Sequence, residues 1–202
     1  MMRSIFQLVV TSKLSSTVLV VDNLSPYTKD IITCLNLVKV KYEYKRFYEF
    51  SRSNHSVDKP HDKVILSGRQ VNSKESNVIN SLLLRTCVDG KIPTLGICFG
   101  CEIIALTFGG TIMRMNRPIR QMTTVEILEP NPLVPKSRSI SVFESHGYNI
   151  ARLPDGFVRI GSSSLCQNEI ISHKSKLIFG VQFHPERSGT DGLQIIRNFV
   201  GL

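Results

Sequence analysis

The sequence predicts an α/β fold in which a mostly parallel central sheet has flanking helices and an additional region of antiparallel strands. Two observations lead to this prediction. Up to residue 108, short apolar runs alternate with segments whose apolar residues recur at helical spacing. Beyond Gly109 and Gly110, strand-like segments follow one another without helices, until one amphipathic segment ends the chain.

The first half alternates between strands and helices. Three continuous apolar runs, which suit strands buried on both faces, and one run rich in aromatic residues predict strands at 17–23, 41–50, 63–68 and 92–98. Helical spacing of apolar residues predicts helices within 27–37, 76–87 and 99–108. Alternation of this kind implies right-handed crossovers and parallel strands.

The second half is predicted to be mainly strands. They are expected at 111–115, 123–128, 139–143, 157–162, 169–172 and 177–183, before a final helix at 191–200. No linker or repeat divides this pattern, and 202 residues fit one domain or little more. We therefore expect one domain over 17–202, preceded by an N-terminal extension or extra strand at 1–16.

Composition excludes several classes of protein. Hydrophobic residues make up 42% and charged residues 20%, which is typical of a folded chain. No apolar stretch approaches the roughly 18 residues of a membrane-spanning helix, so no membrane partner is expected. Five irregularly spaced cysteines without a secretory signal indicate reduced thiols and a cytoplasmic protein. The net charge of +9 favours an anionic partner, but no nucleic-acid-binding motif accompanies it.

The segment Gly96-Ile-Cys-Phe-Gly100 joins a predicted strand to a predicted helix, as a nucleophile-bearing turn does. Glycines on both sides fit such a turn, because the backbone approaches closely there. At a helix N-terminus, Cys98 is expected to have a lowered thiol pKa. The N–H of Phe99 is expected to point towards a developing oxyanion. Cys98 is therefore the candidate nucleophile.

A candidate base and its orienting group lie in Phe183-His-Pro-Glu186. The predicted strand before His184 places this histidine at a carboxyl end of the sheet, where functional residues of open α/β sheets gather. Glu186 is able to accept a hydrogen bond from the imidazole and so to select its tautomer. Together with Cys98, these residues predict a hydrolase with a cysteine nucleophile.

The segments Gly-Ile-Cys-Phe-Gly and Gly-Val-Gln-Phe-His-Pro-Glu resemble those of the class I glutamine amidotransferases, and the resemblance extends over most of 17–202. It implies a flavodoxin-like fold, with Cys98 as nucleophile, His184 as base and Glu186 as its orienter. It also implies hydrolysis of L-glutamine to glutamate through a thioester, with the ammonia passing to a synthase or synthetase subunit. No cofactor is implied, and no ATP-binding loop is visible.

Within this family, several segments most resemble the glutaminase subunit of GMP synthase. These segments are Val20-Val-Asp-Asn23, Ile65-Leu-Ser-Gly68, Ser145-His-Gly147 and Leu153-Pro-Asp-Gly-Phe157. The anthranilate and aminodeoxychorismate synthase subunits share much of this pattern, and the tail after Glu186 is closer to that of imidazole glycerol phosphate synthase. The branch therefore stays open at the level of sequence.

Two positions depart from the family pattern. Glu102 replaces a glutamine that usually contacts the substrate, and Arg69 replaces a glycine in the loop of the second oxyanion donor. The charge of Glu102 favours a substrate ammonium group, whereas the bulk of Arg69 disfavours a positive φ. By resemblance, six residues surround the substrate: Gly68, Arg69, Phe99, Glu102, Gly147 and Tyr148. Because of these two departures, a Cys-His-Glu hydrolase of another γ-glutamyl substrate stays an alternative to the glutaminase. A non-catalytic binding subunit is a second alternative.

Three further features have competing interpretations. Cys98-x-x-Cys101 also fits a redox pair, but the cysteines lack the spacing of zinc ligands, so no metal site is expected. We interpret His146 as a structural histidine in a turn rather than as a second base. Basic residues recur at every third position at Arg114, Arg117 and Arg120. They form either a solvated edge or a docking surface for an acidic synthase partner or its nucleotide.

Overall fold

The computed structural model describes residues 16–51 and 61–202, in which helices flank one nine-stranded sheet. The strands are β1 (Thr17–Asp22), β2 (Lys41–Arg46), β3 (His61–Leu66), β4 (Thr94–Ile97), β5 (Thr111–Ile127), β6 (Ser139–Arg152), β7 (Phe157–Ser162), β8 (Ile170–His173) and β9 (Ile178–Val181). The α-helices are α1 (Thr28–Leu37), α2 (Lys74–Asp89), α3 (Phe99–Thr107) and α4 (Gly189–Val200). Apart from Ser16, the predicted N-terminal extension lies outside the described residues.

Five parallel strands form one half of the sheet, in the order β2-β1-β3-β4-β9. This is the order of flavodoxin-like α/β sheets, and the predicted fold class is confirmed. Helices cover both faces, so the apolar run of β1 is buried throughout. Val18 and Val20 pack into a cluster with α1 and α4, whereas Leu19 and Val21 pack against α2.

The remaining strands β8, β7, β5 and β6 are antiparallel and continue the sheet beyond β9. The prediction of separate strands at 111–115 and 123–128 is wrong, because both belong to β5, whose pairing is irregular between Arg114 and Ile119. The strand predicted to end at residue 143 continues to Arg152. A solvent-facing antiparallel pair carries polar side chains readily, so the polar residues of these stretches do not interrupt the strands. We refer to this pair as the β5–β6 ribbon.

The sheet brings the chemical motifs to one edge. β3, β4 and β9 are neighbours, so the residues after their carboxyl ends lie side by side: Gly68, Cys98 and His184. The ribbon is joined to this edge, since the N–H of His184 donates to the carbonyl of Phe143 at 2.9 Å. Within the described residues, no helix has the length and apolar character needed to cross a membrane.

Candidate active site

Cys98 lies in a tight turn between β4 and α3, with a φ of 52°. This left-handed conformation is strained for a residue with a side chain, and such strain occurs mainly at functional sites. The flanking glycines are required by close approach. A Cβ on Gly100 would lie 2.3 Å from the carbonyl oxygen of Leu66, and one on Gly96 would lie 2.4 Å from the backbone of Gly100. The turn thus presents the thiol at the sheet edge.

His184 connects the thiol to a carboxylate. Its Nδ1 donates to Oε1 of Glu186 at 2.8 Å, and the imidazole lies close enough to the Cys98 thiol for each group to shift the pKa of the other. The ring of Tyr27 packs edge-on against the imidazole, with 4.7 Å between centroids. Gly68 lies close to both reactive groups, because a Cβ there would be 3.0 Å from Cε1 of His184. Two separate segments therefore bring a thiol, an imidazole and a carboxylate together.

Burial dominates the acid–base properties of the thiol. It raises the pKa of Cys98 above its ordinary value, and His184 and the Phe99 N–H oppose this only in part. The predicted lowering at the helix N-terminus is therefore wrong for the thiol in this structure. Burial would lower the pKa of His184, but the charges of Glu186 and Cys98 raise it well above its ordinary value. The imidazole is thus the group that is able to hold the thiol proton.

A pocket of about 560 Å³ opens over Cys98. Its lining includes five of the six residues predicted to surround the substrate: Arg69, Phe99, Glu102, Gly147 and Tyr148. Gly68 instead lies beside the pocket, where it adjoins His184 and Cys98. This volume is within the range of small-molecule sites.

Arg69 is half-buried and lies flat over the ring of Phe99, with 3.8 Å between the guanidinium carbon and the ring centroid. It also donates to the side chains of Asn77 and Ser76 on α2. The expected conflict with a positive φ does not arise, since Arg69 is not among the described residues with positive φ. The loop accommodates the arginine in an ordinary backbone conformation and directs its charge to the pocket.

Glu102 projects from α3 into the pocket wall and is only 5% exposed. The side-chain amide of Gln182 donates to its Oε1 at 3.4 Å. Burial raises the pKa of Glu102, while the Gln182 amide and the charges of Arg69 and His146 oppose the rise. The pocket therefore contains one buried carboxyl group and one guanidinium group near the nucleophile.

The second cysteine of the Cys-x-x-Cys segment points away from the pocket. Cys101 is fully buried against β9, where a Cβ on Gly180 would lie 2.5 Å from its Sγ. The cysteines of the described residues are all free thiols. The same part of the chain contains no group of three or more His, Cys, Asp or Glu side chains able to hold a metal ion. Cys101 is consequently a packing residue.

The prediction of His146 as a turn residue is wrong, because it lies within β6 and lines the pocket. Its Nδ1 is 2.7 Å from the carbonyl oxygen of Tyr148, and its Nε2 is 2.9 Å from Oε2 of Glu144. Glu144 was not predicted as part of the site. Alternation along a strand places residues two apart on one face, and this pattern would have linked Glu144 to His146 had the strand been extended past residue 143.

Comparison with known proteins is consistent with this geometry. The family model "Glutamine amidotransferase class-I" matches residues 19–201. One subunit of the glutamine-hydrolyzing GMP synthase of Methanocaldococcus jannaschii is 37% identical over 138 residues, which cover 67% of this chain and 71% of that protein. The corresponding subunit of Thermococcus kodakarensis is 37% identical over 141 residues, covering 69% and 74%.

A solved structure gives the same result at the level of the fold. A Thermoplasma acidophilum protein, described as one of the subunits of GMP synthase, superimposes with a TM-score of 0.80 at 29% identity, covering 93% of both chains. The family model spans nearly the whole chain, and the relatives are named as glutamine-hydrolyzing enzymes. This chain therefore belongs to the class I glutamine amidotransferases.

Proposed function

We propose that this chain hydrolyses L-glutamine to glutamate and ammonia, with Cys98 as nucleophile, His184 as general acid and base, and Glu186 as its orienting group. The observation that carries the proposal is the arrangement of thiol, imidazole and carboxylate at the sheet edge. Glu186 lies 2.8 Å from Nδ1 of His184, and the imidazole and the Cys98 thiol line the same pocket and shift the pKa of each other. A nucleophile with a base, and a base with an orienting carboxylate, are the requirements of acyl transfer.

The reaction proceeds in two steps. His184 takes the thiol proton, and Cys98 sulfur attacks the side-chain carbonyl carbon of glutamine. His184 then gives that proton to the departing nitrogen, so the C–N bond breaks, ammonia leaves and a thioester remains. In the second step His184 takes a proton from water, whose oxygen attacks the thioester, and the sulfur leaves as the proton returns to it. Backbone N–H groups at Phe99 and Gly68–Arg69 stabilise the oxyanion in both steps.

The two charged groups of the pocket suit an amino acid substrate. Glutamine carries an α-carboxylate, which the guanidinium of Arg69 is able to bind, and an α-ammonium group, which Glu102 is able to bind. Both side chains line the pocket that opens over Cys98. Gly147 and Tyr148 line it from the ribbon. We propose that these contacts position the side-chain amide at the thiol.

The ammonia acceptor is proposed to be the synthetase subunit of a GMP synthase, because relatives of this chain are named as subunits of that enzyme. The ribbon provides a docking surface for it. Arg114, Arg117 and Arg120 are exposed on β5, and Arg120 also lines the pocket. A partner with an acidic surface bound here would cover the pocket and receive the ammonia before it reaches solvent.

The first experiment is intact-protein mass spectrometry after exposure to diazo-oxo-norleucine, an electrophilic mimic of glutamine. We expect a single adduct on Cys98 that excess glutamine prevents, and no adduct on the Cys98→Ala variant. Ammonia release by the unmodified protein, with and without a synthetase subunit, is measured in parallel. The Cys98→Ala variant is expected to release none.

The alternatives predict different results in this experiment. Labelling of Cys98 by iodoacetamide but not by the glutamine mimic would indicate that the substrate is another γ-glutamyl compound rather than glutamine. No preferential labelling of Cys98 by either reagent would indicate a binding subunit without catalysis. Inactivity of the isolated chain does not by itself contradict the proposal, because the partner is able to shift the chain towards its active conformation.

A further inference from the structure

Beneath the pocket lies a second acid–base cluster, formed by Glu144 and His146 of β6 and by Glu169, which precedes β8. We infer that Glu144 and Glu169 are a proton-sharing carboxyl pair that positions His146 and, through it, the backbone of Gly147 and Tyr148 at the substrate. The inference rests on the proposed function in one respect, namely that glutamine is the ligand of this backbone. None of these side chains belongs to the Cys98–His184–Glu186 series.

The first evidence is burial without a cation. Glu144 and Glu169 are both 0% exposed, and His146 is 6% exposed. The ion pairs of the described residues include no Lys or Arg on either carboxyl group. Two buried carboxylates in contact would repel strongly, so at least one proton must lie between them.

The second evidence is the distribution of hydrogen bonds. Ser163 Oγ accepts from the N–H groups of Leu165 and Cys166 at 3.1 and 3.0 Å, so its own proton goes to Oε1 of Glu169 at 2.6 Å. Oε2 of Glu169 and Oε1 of Glu144 find no N–H or O–H donor among the described residues. The pKa of each carboxyl group depends on the other, so the two groups lie close together, and a proton on Glu169 Oε2 that is donated to Glu144 Oε1 supplies both of these oxygens with a partner.

A single direction of donation then satisfies every member. Ser163 donates to Glu169, Glu169 to Glu144, and Glu144 to Nε2 of His146 at 2.9 Å. His146 must donate from Nδ1, because its partner at 2.7 Å is the carbonyl oxygen of Tyr148. The series therefore runs from a partly exposed serine to a backbone carbonyl beside the pocket. It fixes the tautomer of His146 and the orientation of the peptide groups that follow it.

Burial is the main factor that favours the protonated form of the two carboxyl groups. Burial raises the pKa of Glu144, and burial with the neighbouring Glu144 raises the pKa of Glu169 to about 9. Burial lowers the pKa of His146, and the hydrogen bond to the carbonyl of Tyr148 opposes this only in part. The other ionisable groups near the cluster are Glu102, His184 and the buried thiols Cys101 and Cys166.

The experiment measures binding of glutamine by calorimetry in the Cys98→Ala background, in which no turnover occurs. Glu144→Gln is the conservative variant, because an amide N–H donates to His146 while its carbonyl accepts from Glu169. Glu144→Leu removes both functions at similar size. We expect Glu144→Gln to bind within about threefold of the parent, and Glu144→Leu to bind about tenfold or more weakly. Equal losses in the two variants, or none in Glu144→Leu, would overturn the inference.

The pH dependence of Glu169→Gln gives a test that requires no disruptive substitution. An amide cannot lose the proton that Glu169 releases at alkaline pH. Between pH 8 and pH 10 the parent is therefore expected to lose more affinity for glutamine than Glu169→Gln does. The ammonium group of glutamine also titrates at alkaline pH, but it affects both proteins equally. Identical pH profiles in the two proteins would contradict the role of the carboxyl pair.

A glutamine-independent measurement separates failure of this inference from failure of the proposed function. If the parent binds no glutamine at any pH, either alone or with a synthetase subunit, the proposed function is wrong, and nitrogen-15 NMR of the histidines then decides the inference. We expect His146 to show the neutral tautomer protonated at Nδ1 at pH 7, in the parent and in Glu144→Gln. A His146 that titrates like an exposed imidazole between pH 6 and 7 would overturn the proposed pair.

Discussion

Two histidine–glutamate pairs border the same pocket, and their local chemistry is nearly identical. His184 lies 2.8 Å from Glu186, and His146 lies 2.9 Å from Glu144. In each pair the two residues are separated by one position in the chain, and both side chains are buried. Nevertheless the pKa of His184 is raised well above its ordinary value, whereas that of His146 is lowered.

The difference arises from the second neighbour of each pair. His184 is next to the Cys98 sulfur, and the charges of Glu186 and Cys98 together outweigh the effect of burial. Glu144 instead lies near Glu169, and burial raises the pKa of both carboxyl groups. A carboxyl group raises the pKa of a nearby histidine only while it is ionised, so burial prevails at His146. One pair is thus suited to proton transfer and the other to holding a fixed geometry.

Replacing the histidines is expected to give the largest contrast. His184→Ala should lower kcat for glutamine hydrolysis by about 10²–10⁴-fold, since it removes the general acid and base. His146→Ala should mainly raise KM, because it releases the substrate-binding backbone without touching the thiol. Steady-state assays of glutamate formation distinguish the two effects. A comparable fall in kcat for both variants would mean that His146 also transfers protons.

Replacing the glutamate of each pair by glutamine is expected to have a smaller effect than replacing the histidine. It distinguishes the pair that needs a negative charge from the pair that needs only hydrogen bonds. Glu186→Gln removes the negative charge that raises the pKa of His184, so this pKa should fall and kcat should decrease about 10–100-fold. Glu144→Gln preserves the proposed pattern of donors and acceptors, so kcat should change by less than about threefold. The pH profile of kcat provides the measurement. Equal sensitivity at the two positions would show that Glu144 acts as a charged group.

Glu169→Gln is expected to have the smallest effect on activity and to change the thermal stability of the protein instead. The pKa of Glu169 in the folded protein is about 9, above the ordinary value of 4.5. Between these values the folded state keeps a proton that the unfolded state has released, so stability falls as the pH rises. The side-chain amide that Glu169→Gln introduces does not titrate. The variant should therefore have a Tm a few degrees above that of the parent at pH 8, and the difference should vanish near pH 4.

Thermal unfolding followed across this pH range checks the prediction. The conservative Glu126→Gln change, at an exposed position of β5, is the matched control and should leave the shape of the pH dependence unaltered. Parallel Tm profiles for the parent and Glu169→Gln would indicate that Glu169 is ionised in the folded protein.

The predictable parts of the fold and the site have local causes. The inner strands of the parallel half could be predicted because burial on both faces makes them continuous apolar runs, as in β1. The turn at Cys98 could be predicted because Gly96 and Gly100 are required by close backbone approach. The ribbon was predicted poorly, because β5 is mostly exposed and its side chains lack the alternation of a half-buried strand.

The sequence by itself determined the nucleophile turn, the His-Pro-Glu segment and the family, because each depends on residues that are adjacent in the chain. Tertiary structure alone decided the acid–base states. The N-terminal position of Cys98 on α3 predicted a lowered thiol pKa, but the depth of its burial reversed the direction. His146 was assigned to a turn until β6 placed it beside Glu144 and a different segment brought Glu169 against that carboxyl group. Proton affinity depends on the charges and solvent that surround a group in space, and chain neighbours supply only some of them.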